Sequence, residues 1–191
     1  KAASSWFTPN DETFYLTAAH EMCHQLSGTH TFSNCPPNAD ATQPGSAFEP
    51  GGGSTIMAYT SACGNQNFQN DSDPYYHNVN IVQALSFIAN GSGSQCGETI
   101  ATGNNTPTAS TNIPLNGLYL PISTPFVLTG SGSDPDGDAL TYCWEEYDLG
   151  PASPIGSPTG STPIFRSFLP TASPVRVCPR LQTIVNNTPS A

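Results

Sequence analysis

Apolar positions follow two different rhythms along this chain. Over residues 14–26 they recur at helical spacing, with Leu16, Ala19, Cys23 and Leu26 on one face, and this predicts a buried helix. The turn-rich stretch before it, with Pro9 and Asn10-Asp11-Glu12, predicts a loop over residues 1–13. Residues 33–53 break every regular element, because Pro36-Pro37, Pro44-Gly45 and Glu49-Pro50-Gly51-Gly52-Gly53 interrupt both periods. An irregular loop of that length in a compact domain is functional or tied down by a cross-link, and Cys35 is available for the tie. A second helical pattern follows over residues 75–89. Val79, Val82, Ala84, Leu85, Phe87 and Ile88 form its apolar face, Asp73 is placed to cap it, and Pro74 suits its first position.

The rhythm changes in the second half. Residues 98–112 are rich in Thr, Asn and Gly with little apolar content, which predicts a linker. Beyond residue 113 come short apolar or alternating runs: Leu118-Tyr119-Leu120, Phe126-Val127-Leu128, residues 139–144, Ile164-Phe165 and residues 175–178. Pro and Gly turns separate them, the pattern of an antiparallel β-sandwich, though with four or five strands where a complete one has about seven. The expected organisation is therefore an α+β chain: a helical, loop-rich domain over 1–97, a linker over 98–112, and an all-β immunoglobulin-like module over 113–191, with fewer strands than a complete sandwich and thus expected to be truncated.

Composition narrows the setting. The chain has 191 residues with 4 Lys+Arg against 14 Asp+Glu, and a net charge of −10 opposes binding to nucleic acid or an anionic membrane. No run approaches the length of a membrane span. Charged residues make up only 9%, which suits a loop-rich extracellular protein. Lys1 opens the sequence without a starting Met or a signal-peptide core, so the natural start is expected to lie upstream. Six cysteines favour disulfides and an oxidising compartment. Cys35, Cys63, Cys96, Cys143 and Cys178 are the candidates. Pairing Cys143 with Cys178 keeps both halves even, while the connectivity among the first four cysteines stays open. Cys23, inside the first helix, suits a core role better than a bridge.

The chemistry concentrates in His20-Glu21-Met22-Cys23-His24-Gln25-Leu26-Ser27-Gly28-Thr29-His30. His20 and His24 lie one turn apart on a helix face, so both imidazoles can reach one ion. Glu21 sits on the flank of that face, where it can act as general base toward a water without being a ligand. His30 lies beyond the helix end, and Gly28 supplies the freedom to turn the chain back. Three neutral imidazoles with an open fourth position describe a catalytic zinc site. His77, the fourth histidine, reads as a capping or packing residue. Farther on, Asp134, Asp136 and Asp138 alternate around Gly137; they offer either a calcium site or a plain Asp-Gly turn.

With Ser54-Thr55-Ile56-Met57-Ala58-Tyr59 downstream, this order of features resembles the metzincin zinc metallopeptidases, in particular the secreted reprolysin-like type known from Bacteroidetes. The resemblance covers about residues 13–92. It implies the lower catalytic subdomain of that fold, with zinc held by His20, His24 and His30. Met57 would form the apolar floor of the Met-turn, and Tyr59 would be a possible extra zinc ligand. Glu21 would deprotonate the attacking water and pass the proton to the leaving amine. Residues 132–144 resemble PKD or cadherin-like immunoglobulin repeats. Two departures carry consequences. Ser27 stands where the family motif has glycine, and a turn that needs φ > 0 there would displace His30. Only the residues before His20 are available for the upper subdomain, so the resemblance implies that half the cleft lies outside this sequence.

The expected function is thus a secreted zinc endopeptidase acting on a polypeptide. The competing reading is an extracellular adhesive or filament-forming protein that keeps an inactive metzincin-derived domain. Sequons at Asn70, Asn90, Asn104 and Asn186 would suit such a surface polymer, as would self-association or cell-surface or glycan contact through the Ig-like module.

Overall fold

The structure is a computed structural model and describes residues 12–114 and 116–187; the loop expected over residues 1–13 falls almost wholly outside them. The chain forms two compact units. The first takes residues up to Glu98 together with Glu145–Leu169, and the second takes Thr99–Trp144 and the residues from Pro170 on. Glu145–Leu169, within the stretch 113–191 expected as one module, thus groups with the first unit.

In the first unit, helix α1 spans Glu12–Gln25 and helix α2 spans Asn78–Ala89. Short 3-10 turns at Pro36–Ala41, Gly64–Gln66 and Ser92–Gln95 punctuate the loops. The core lies under α1, where Cys23, Ile56 and Met57 are buried against Leu16, Ala19 and Tyr76. A second cluster joins Phe32, Cys35 and Cys63 to Ala41 and Tyr59. The Cys35–Cys63 disulfide closes the long irregular loop, as the availability of Cys35 suggested. Cys96 carries an exposed thiol and is not bridged, which corrects its candidacy, and Cys23 is a buried thiol within the core.

Helix α2 begins later than its apolar pattern suggested. Its N-cap is His77, whose Nδ1 accepts from the Val79 N–H at 3.2 Å. Asp73 does not cap it; its carboxylate pairs with Arg166 at 3.2 Å, and its N–H donates to the Ser54 carbonyl. Pro74 lies outside the helix. An imidazole acceptor at the right place outcompetes a carboxylate that has an ion pair to make. His77 is itself 1% exposed and packs beside Phe48 and Tyr147, which stack on each other at 4.3 Å, so it is a capping and packing residue.

The returning segment is held by polar contacts. Glu146 accepts from the N–H groups of Ile164 and Phe165, Ile155 N–H donates to Gln66, and Tyr75 and Ser167 share a hydroxyl contact of 2.6 Å. The Arg166 guanidinium lies over the rings of Phe68 and Phe168. The expected strand at Ile164-Phe165 does not form, since their N–H groups are spent on the Glu146 carboxylate.

In the second unit, strands β1 (Thr108–Thr111), β2 (Phe126–Ser133) and β3 (Val175–Cys178) form one antiparallel sheet in the order β1-β2-β3. β1 falls inside the expected linker, its Ser110 hydroxyl paired with that of Ser131 across the ladder. Residues 118–120 form no strand, and residues 139–144 contribute only the Tyr142–Thr171 bridge. Gly130 and Gly132 leave room for Trp144, Leu140 and Tyr142 to lie against β2. A three-stranded sheet is thus what the described residues form, and a sandwich of two sheets is not among them.

Candidate metal centre

Two stretches of chain bring the histidines together. His20 and His24 project from α1, and His30 arrives from the segment that follows its end. The turn between them works in an unexpected way. Ser27 itself adopts the left-handed conformation, φ 67°, with its N–H donating to the His24 carbonyl at 3.1 Å. The Gly28 N–H then donates to the Cys23 carbonyl at 2.8 Å, and the pair closes the helix as a glycine-capped end would. Ser27 therefore does not displace His30. Glycine is needed one residue later for space: a Cβ on Gly28 would lie 2.2 Å from Cys23 Sγ and 2.9 Å from the Cys23 carbonyl oxygen.

The three Nε2 atoms converge. They lie 3.1 Å apart for His20–His24 and 3.2 Å for His20–His30 and His24–His30. Each ring is oriented from behind by a backbone carbonyl that accepts its Nδ1–H: Ile56 for His20 at 2.7 Å, Gly28 for His24 at 2.8 Å and Ala41 for His30 at 2.8 Å. A ring that donates through Nδ1 is the tautomer with its lone pair on Nε2. Three lone pairs thus face one another, an arrangement that repels itself unless a cation sits among them. Tetrahedral zinc with bonds near 2.0 Å sets its nitrogen ligands about 3.3 Å apart, so the donor set fits that ion. Burial holds the pKa of His20 and of His30 below the ordinary value of 6.5, the carbonyl contacts acting in the opposite sense, and this favours the neutral form that ligates.

The surroundings assemble from the loops. Met57 is fully buried beneath α1, and its carbonyl accepts the Thr31 N–H at 3.3 Å. The Tyr59 ring centroid lies 4.6 Å from that of His30 and 6.0 Å from that of His20, and its phenol pKa is pushed up, first by burial and then by the charge of Glu21. Glu21 directly follows His20 on α1, and its charge opposes the lowering at His20 and His30. A cleft of about 240 Å³ opens beside His20, bordered by Leu16, Thr17, Ile56, Tyr59, Thr60 and Asp71.

Three supporting residues were missed by sequence reasoning. Asn80 and Gln83 of α2 grip Thr29: Asn80 Nδ2 donates to its carbonyl at 2.8 Å, Gln83 Nε2 to its hydroxyl at 2.7 Å, and its N–H donates to Gln83 at 3.0 Å. Glu49 is 2% exposed and binds both the chain after His30 and the Met57 loop. One signal pointed to Glu49, the sole charge between Ala47 and Tyr59; nothing distinguished Asn80 and Gln83.

The aspartates behave differently. The Asp134 carboxylate accepts the N–H groups of Asp136 and Asp138, and Asp136 accepts both the backbone and the side-chain N–H of Asn105, which holds its carboxyl below the usual range. These oxygens are spent on a turn closed at Gly137, φ 81°, and among the described residues only the histidine trio forms a group able to hold a metal. The calcium expectation gives way to the turn.

Comparison with known proteins found no match among curated proteins or solved structures. Residues 1–88, which contain the histidine trio and the Met57 loop, are similar to the reprolysin-like metallo-peptidases of family M12B, whose family model they match.

Proposed function

We propose that this chain carries the zinc site of a secreted endopeptidase that hydrolyses peptide bonds in polypeptides. The observation that carries the reading is the convergence of three Nε2 atoms within 3.2 Å, each ring oriented by a backbone carbonyl. The match of residues 1–88 to a metallo-peptidase family supports it. His20, His24 and His30 would hold zinc, which supplies a Lewis acid that acidifies water and polarises a carbonyl. Glu21 accepts the proton of the attacking water at its carboxylate and returns it to the leaving amine. Tyr59, beside His30, is placed to donate its phenol hydrogen to a developing oxyanion or to join the ligands. The cleft beside His20 would receive a substrate side chain next to the scissile bond. An oxidising, extracellular setting accords with the buried Cys35–Cys63 bridge.

The test pairs metal analysis with cleavage of an unstructured protein. Stoichiometric zinc, together with cleavage that a chelator abolishes and Glu21→Ala removes, is the expected outcome. A preparation that assembles into ordered polymer and takes up no zinc would favour the structural reading and overturn this one.

A further inference from the structure

Glu49 is a buried carboxylate in the first unit that the proposed chemistry does not itself use. It is 2% exposed, and among the described residues no Lys or Arg pairs with it. Removing a carboxylate from water without a countercharge is costly unless donors replace the lost hydration. Five do. Oε1 accepts from Ser54 N–H at 2.8 Å, Thr55 N–H at 3.1 Å and the Ser54 hydroxyl at 3.2 Å; Oε2 accepts from the hydroxyls of Thr31 at 2.5 Å and Thr55 at 2.6 Å. The backbone of Glu49 joins the same tie, its N–H donating to the Thr31 carbonyl and its carbonyl accepting from Ser33.

What these donors have in common is their position. Thr31 directly follows His30. Ser54 and Thr55 directly precede Ile56, whose carbonyl orients His20. One carboxylate thus spans the backbone beside one ligand and the backbone that aims another. We propose that Glu49 is a positioning residue of the metal centre: its buried carboxylate fixes the His30 segment against the loop that orients His20. This rests on the zinc reading of the histidine trio. Zinc-ligand supports of this kind typically contribute 10- to 100-fold to metal affinity, although they touch no metal. A neutral amide of the same shape puts an NH₂ group against donors, so Glu49→Gln breaks the tie and leaves the volume filled.

The experiment is a competition titration of zinc against a chelator for the wild type, Glu49→Gln and Arg166→Ala. Arg166→Ala removes the Asp73 pair and the stacking on Phe68 and Phe168, and serves as a destabilised control outside the ligand loops. Thermal unfolding of the metal-free proteins reports their stability. The expected result is zinc affinity at least 10-fold weaker in Glu49→Gln and within threefold of wild type in Arg166→Ala. Should Glu49→Gln not fold, Thr31→Val deletes one hydroxyl donor to the same oxygen, with weakening again expected. Wild-type affinity in a folded Glu49→Gln, or weakening that merely follows the loss of stability in both variants, overturns the inference and leaves the zinc reading intact. A wild type that takes up no zinc overturns that reading, and this inference with it.

Discussion

Replacing Ser27 by glycine should stabilise this protein, and adding one carbon to Gly28 should destabilise it. Ser27 holds φ 67°, a conformation that costs an L-residue about 1–2 kcal/mol. Glycine removes that strain but gives up about 0.5–1 kcal/mol through its freer unfolded chain, so the net gain for Ser27→Gly is about 0.5–1 kcal/mol. In a protein of this size that raises the Tm by about 2 °C. Gly28→Ala acts through space. Its new Cβ meets Cys23 Sγ at 2.2 Å and the Cys23 carbonyl at 2.9 Å, and the carbonyl cannot move without loosening the end of α1. Such overpacking costs about 1–3 kcal/mol, a fall of several degrees. Metal binding separates the two variants further. The Gly28 carbonyl orients His24, so Gly28→Ala should also weaken zinc affinity while Ser27→Gly leaves it unchanged. The assay is thermal unfolding by circular dichroism with and without zinc. A Ser27→Gly variant less stable than the wild type, or a neutral Gly28→Ala, would refute this account of the turn.

Other outcomes follow from the same contacts. Glu21→Gln should retain zinc yet lose about 10²–10⁴-fold in peptide cleavage, read as kcat/KM on a quenched peptide. Met57→Ala, at a fully buried position packed with Cys23 and Ile56, should cost about 2–5 kcal/mol in urea unfolding. Opening the Cys35–Cys63 bridge with a paired Ser substitution frees a loop of 28 residues and should cost about 3–4 kcal/mol. The lowered pKa values of His20 and His30 mean that the unfolded chain binds protons more readily than the metal-free folded one. Their contribution to stability is complete above pH 6.5 and is lost as pH falls from there through the folded values. Urea midpoints of the metal-free protein between pH 8 and 5 check this, and midpoints that rise on acidification would contradict it.

The convergence of the three histidines was legible in the sequence because its information is local. Eleven residues contain all three imidazoles, and helical spacing alone brings two of them together. The closure at Ser27 was misjudged for a physical reason: a short polar residue can occupy the left-handed region when two hydrogen bonds and a packed Gly28 hold it there. Supports at a distance left less trace. Asn80 and Gln83 look like polar positions on a surface helix until Thr29 is seen against them. The start of α2 shifted because the pattern could not tell that Arg166, far along the chain, would claim Asp73. The second half was hardest, since period-2 runs are equally suited to a sheet and to a strap. Ile164-Phe165 became part of a strap once Glu146 bound their N–H groups, and the apolar-poor residues 108–111 still made a strand, paired through hydroxyls and backbone.

The central claim is that one metal ion sits among three imidazole nitrogens. X-ray absorption at the zinc edge of the loaded protein tests it most directly. The account predicts one zinc per chain, with a first shell of nitrogen and oxygen at about 2.0 Å that includes three histidines and no sulfur. A sulfur shell at about 2.3 Å would implicate the Cys23 thiol, and a purely oxygen shell would mean adventitious metal; either would contradict it.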